Sequence, residues 1–100
     1  MPWVHYEEAM DVLRGWSDRE VIVVAFVEPG VSLRPFGGRL SCEDDEHRTL
    51  RASVEDAERI VRIAFPAATF HEASWVAGRP DRGLSVVQGA TRVDVFLEDG

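Results

Sequence analysis

The residue types best suited to metal chemistry are His5, His47, His71 and Glu72. Imidazole with carboxylate is a zinc ligand set. Their spacing brings no two histidines onto one helix face, and His71 and Glu72 are neighbours on an expected strand, which sends them to opposite sides. They read as unrelated surface residues. Cys42, with His47 and Asp44 nearby, has the types of a nucleophile, a base and an orienting acid. The acids that follow it, Glu43-Asp44-Asp45-Glu46, raise a thiol's pKa and suppress the thiolate, so Cys42 reads as an inert residue at a strand end. The same acidic run offers the oxygens that calcium takes, without the alternate spacing and glycine bend of a calcium loop. It reads as a solvated loop that suits a basic partner. No catalytic residue, metal ligand or cofactor is expected.

Composition narrows the function classes further. Among 100 residues, 18 acids face 11 bases, for a formal charge of −7. Phosphate neutralisation supplies most of the affinity of nucleic-acid binders, so DNA and anionic membranes are not expected as partners. Every base is arginine, and the chain has neither lysine nor asparagine. Schiff-base chemistry and a phosphate-loop lysine are therefore excluded. One cysteine excludes a disulfide framework. No apolar run approaches the ~20 residues of a membrane-spanning helix. The start, Met1-Pro2-Trp3-Val4-His5, has no basic and apolar leader, and the expected location is the cytoplasm.

The elements that must position these groups follow from periodicity. Val4, Ala9, Val12, Leu13 and Trp16 recur at helical spacing, with Pro2 before them and Gly15 behind, and predict an amphipathic helix over about 3–15. The β-branched run Val21 to Val27 predicts a central strand, and Glu28-Pro29-Gly30 a turn. Residues 31–42 read as a strand bent at Pro35 and Gly37-Gly38, and 43–46 as a loop. A strand follows over 50–54. Residues 53–65 fit either a helix capped by Ser53 or a turn at 55–58 and a strand over 59–65; the second is preferred. Further strands are expected at 70–76, 84–87 and 93–97, with a loop over 78–83. The sum is one domain, mainly β: an N-terminal helix and a small, strongly bent antiparallel barrel. Trp16 and Trp75 are expected in its core, and Trp3 at an interface.

This order of elements resembles the Sm-like family, in which a helix precedes a bent five-stranded barrel. Gly38, Leu40 and Asp44 stand at the spacing of the family's Gly-x-Leu-x-x-x-Asp motif. Asp56-Ala57-Glu58 is similar to its acidic stretch, and Val86-Val87-Gln88-Gly89 before Val93 and Val95 looks like its second motif. The resemblance implies ligand positions at Asp44, His47, Gln88 and Gly89. RNA-binding members carry asparagine and arginine where this chain has His47 and Gln88. It also implies assembly through strand edges, with Val93-Asp94-Val95-Phe96-Leu97 open to a neighbour unless it is an interior strand.

The function expected is a non-enzymatic binding or scaffold module that associates with itself and engages a protein partner. Trp3, Glu43, Asp45, Glu46, Val93 and Val95 are its expected interface. Two alternatives stand beside it: an RNA-binding ring using the Sm-like positions, and a small metal-dependent enzyme gathering His47 or His71 with acids.

Overall fold

Alternating apolar and polar residues along 49–55 put Leu50, Ala52 and Val54 on one face, and all three are buried. The same period runs through most of the chain. A computed structural model describes residues 4–27, 31–32, 34–45, 47–76 and 82–98. The helix α1 (Tyr6–Gly15) is followed by β1 (Glu20–Val27), β2 (Val31–Ser32), β3 (Phe36–Asp44), β4 (Thr49–Glu55), β5 (Ile60–Pro66), β6 (Phe70–Trp75), β7 (Gly83–Gln88) and β8 (Thr91–Leu97). A 3-10 turn, Ala67–Thr69, joins β5 to β6. The expected helix start at Pro2, Trp3, the turn Glu28-Pro29-Gly30, Glu46 and residues 78–81 of the expected loop lie outside the described residues.

The fold is mainly β, as its sequence pattern predicts. The sheet runs β5-β4-β3-β1-β8-β7-β6, with the short β2 added on β1, and its pairs are antiparallel. One core occupies its inner face: Val21 and Val23 from β1, Leu40 from β3, Leu50 and Val54 from β4, Phe65 from β5, Leu84 and Val86 from β7, Val93 and Val95 from β8. Ala9, Met10 and Leu13 form the buried stripe of α1 that closes onto this face, with Trp16 at its end.

The expected barrel does not close. The ladder ends at β5 on one side and β6 on the other. The reason lies in what occupies the β6 edge: the backbone N–H of Val4 donates to the Ala73 carbonyl at 2.9 Å, using a group that a closing strand would need. Tyr6 stands between the two sides. Its hydroxyl donates to the carbonyls of Phe65 and Arg48, and its ring meets that of Phe70 edge-on at 5.4 Å. The Gln88 side-chain amide donates to the Ala64 carbonyl at 2.9 Å. Side chains, not a strand ladder, span the gap.

Two further expectations are corrected. Residues 93–97 take the interior reading and not the open edge that an interface at Val93 and Val95 requires: β8 lies between β1 and β7, where Val95 pairs with both Val23 and Leu84 and Val93 with both Ala25 and Val86. Both backbone edges of β8 are consumed, and Val93 and Val95 are each 2% exposed. The loop expected from residue 43 begins later, because Glu43 and Asp44 extend β3 opposite Arg51 and Leu50. Over 53–65 the turn-and-strand reading holds. Asp56 makes the turn by accepting from the N–H groups of Glu58 and Arg59, both at 2.8 Å.

Gly38 lies in the glycine pair of β3, against the end of β4. A Cβ there would sit 2.5 Å from the Glu55 carbonyl oxygen, a backbone atom that cannot move aside. Gly15, at the end of α1, has open space around it. Gly38→Ala is expected to lower stability by about 1–3 kcal/mol, whereas Gly15→Ala raises it by roughly 0.5 kcal/mol. Thermal or urea unfolding of the two variants checks this pair, and equal midpoints would contradict it.

Candidate functional site

Ten helical residues span about 15 Å, whereas the eight of β1 span about 26 Å. The helix therefore cannot cover the whole inner face. The part it leaves is a cleft of about 370 Å³ whose lining includes no helix residue. Val23 and Ala25 of β1, Phe36 of β3, and Val61 and Ile63 of β5 give it an apolar wall, with Pro35 beside them. Arg34, Arg59 and Arg62 stand at its rim. The Arg59 guanidinium lies over the Phe36 ring, 4.9 Å from its centroid, which holds the cation against the apolar wall. Arg59 also reaches Asp56 at 3.8 Å. Arg34 and Arg62 have no ion pair among the described residues. In a chain with seven more acids than bases, that concentration of cations is local, and it faces an apolar surface.

On the other side of β5, a second depression of about 540 Å³ runs over β3, β4 and β5 and includes Glu43, Arg51, Arg62 and Ala64. The two depressions meet at Arg62 and Ile63.

Apart from Glu43, which lines the second depression, the residues expected from sequence fall elsewhere. Asp44 clamps the helix: its carboxylate accepts from Arg14 Nη2 at 2.6 Å and Nε at 3.0 Å, and Arg14 also reaches Asp11 at 2.6 Å. Asp45 builds the β3–β4 turn by accepting from the N–H groups of His47 at 2.8 Å and Thr49 at 3.2 Å. Glu43 and His47 are exposed. Gln88 closes onto Ala64, and Gly89 takes the left-handed conformation, φ 57°, of the β7–β8 turn. No direct hydrogen bond or ion pair joins Asp44 or His47 to Gln88 or Gly89 among the described residues. Trp3 and Glu46 lie outside the described residues. Trp16 is buried and Trp75 half-buried against the core.

The histidines show one difference. A register shift between Phe70 and Glu72 puts His71 and Glu72 on one side, 3.7 Å apart, where regular alternation separates them. They share a shallow depression with His5. Among the described residues, no group of three or more His, Cys, Asp or Glu side chains is arranged to hold a metal ion. Cys42 lies 3.5 Å from the Leu13 carbonyl, and burial pushes its thiol above the usual range.

The cleft went unread because its members are scattered over β1, β3 and β5. Two signals point to it in hindsight. Arg34-Pro35-Phe36 and Arg59-Ile60-Val61-Arg62-Ile63 interleave arginine with apolar residues, and the second carries two arginines within five residues.

No family model, curated protein or solved structure matches the chain. The site's chemistry therefore rests on its own geometry. No helix among the described residues is long and apolar enough to cross a membrane.

Among the described residues, three carboxyls are held below their ordinary range: Asp44 by hydrogen bonds from Arg14, Asp45 by the His47 N–H, and Asp56 by the Glu58 N–H. A depressed folded pKa contributes stability above the unfolded value, near 3.9, and that contribution is lost as pH falls through the folded one. The unfolding midpoint is expected to hold down to about pH 4 and to drop below it. The drop should be shallower in Asp44→Ala and Asp56→Ala, as acid titration followed by circular dichroism would show. An unchanged acid slope in both variants contradicts the assignment.

Proposed function

We propose that the protein is a non-catalytic binding module and that its partner is another protein, which inserts an acidic segment carrying apolar anchors into the arginine-rimmed cleft. The observation that carries this reading is the conjunction of Arg34, Arg59 and Arg62 with the apolar wall of Val23, Phe36, Val61 and Ile63. Apolar side chains entering the cleft are each worth about 1.5–3 kcal/mol when fully buried. Exposed arginine–carboxylate pairs add ~0.2–1 kcal/mol each. After the cost of ordering a flexible segment, affinities on the order of 100 µM are expected for a short peptide. The arginines contribute more to selection and orientation than to raw affinity.

The partner, and not a second copy joined through residues 93–97, is the occupant favoured here, because β8 has no free edge. Asp44 and Gln88 are engaged within the molecule, which also favours the cleft over the Sm-like positions.

The test is a titration of the isotope-labelled protein with a capped peptide of alternating glutamate and valine, seven residues long. Shifts should concentrate at Val23, Val61 and Ile63, weaken with added salt, and require at least tenfold more peptide in Arg34→Glu/Arg59→Glu. The absence of shifts at millimolar peptide, or shifts on another face, would overturn the reading.

A further inference from the structure

The two ends of the sheet are treated differently by the fold. On β6 the segment before α1 occupies part of the edge through Val4 and Ala73. On β5 the register fixes which backbone groups are used. The N–H of Asp56 donates to the Arg59 carbonyl, so this pair and every second one after it, Val54 with Val61, Ala52 with Ile63 and Leu50 with Phe65, are the hydrogen-bonded pairs with β4. The bond from the Ala67 N–H to the Arg48 carbonyl continues the same phase. The intervening residues, Ile60, Arg62 and Ala64, turn their N–H and C=O groups away from the sheet. The Ala64 carbonyl confirms the phase, since it receives the Gln88 amide from that side. The N–H and C=O of Ile60 and Arg62 and the N–H of Ala64 have no partner among the described residues. Ile60 is also 42% exposed, one of two large apolar residues so open among those described.

We infer that this edge of β5 takes an extended acidic segment of the protein partner as an added strand, so that the partner's backbone pairs with Ile60, Arg62 and Ala64. The inference rests on the cleft reading above and extends it. An added strand continues both faces of the sheet, and its side chains alternate between them. One set falls beside Val61 and Ile63, at the apolar cleft. The other falls beside Ile60, Arg62 and Ala64, at the depression that also holds Arg51. A segment alternating apolar and acidic residues satisfies both. A second copy of the chain fits less well: a symmetric antiparallel pairing about Arg62 sets it directly against its own counterpart, and like charges opposed across a ladder are unfavourable.

Two substitutions separate backbone from side chain. Arg62→Pro removes the free N–H while leaving every bond to β4, and proline is tolerated where a strand's N–H faces outward. Arg62→Ala removes only the charge. With the glutamate–valine peptide, Arg62→Pro is expected to bind at least tenfold more weakly than Arg62→Ala, with both showing the parent circular dichroism spectrum. The peptide is also made in two N-methylated forms, each blocking alternate residues. One form should lose binding at least tenfold and the other should keep it, because only one phase of its N–H groups can face β5. This second measurement stands even where the proline variant does not fold. Equal binding by both methylated forms would overturn the added strand. If that binding still depends on Arg34 and Arg59, the cleft reading survives alone; if it does not, both fall.

Discussion

The burial of Ala9, Met10 and Leu13 against the inner face of the sheet is the contact on which the rest of the structure depends. A sheet with one apolar face must cover it. Here the only α-helix among the described residues is ten residues long. It covers the end of the face nearest Leu40 and Leu50 and leaves the other end open. The Arg14–Asp44 clamp ties the helix to β3, and Tyr6 ties its start to the turn before β4 and to β5 through the carbonyls of Arg48 and Phe65. The cleft is thus a consequence of helix length, and the cations at its rim give that uncovered surface a sign.

The open sheet follows from the same arrangement. Val4 holds the β6 edge, and the 3-10 turn between β5 and β6 brings the two sides of the sheet near each other without pairing them. Natural edge strands are usually blunted by charge, proline or cover. On β5, Pro66 ends the strand and Gln88 caps the Ala64 carbonyl, which leaves the backbone groups of Ile60 and Arg62 and the N–H of Ala64 unused. The arginines there discourage pairing between like copies while remaining compatible with an acidic partner. Edge and cleft are adjacent because β5 contributes to both.

Much of the local structure was legible in the sequence. The helix, the strand at 21–27 and the alternating strands expected at 50–54 and 93–97 carry their period in the residues themselves, whereas 59–65 fits a helical and an alternating period alike and is decided by its pairing with β4. Pairing order did not. β1 pairs with β8 across most of the chain length, as Val23 with Val95, and no local pattern marks such a partner. An interior strand and an edge strand with one charge look alike until their neighbours are known. The acidic run was misread at its start because Asp44 faces Arg14, a partner thirty residues away that offsets the cost of a carboxylate in a strand. The cleft was missed for the same reason: its wall is assembled by topology from three separated segments. His71 and Glu72 came together through a register irregularity that alternation cannot foresee.

The central claim is that β5 is an uncovered edge with alternate backbone groups free. Residue-resolved amide hydrogen exchange of the protein alone tests it most directly. The amides of Val61 and Ile63 are expected to be protected by β4 while those of Ile60, Arg62 and Ala64 exchange near the rate of unprotected peptide. Uniform protection along 60–64 would contradict it, since the edge would then already be paired.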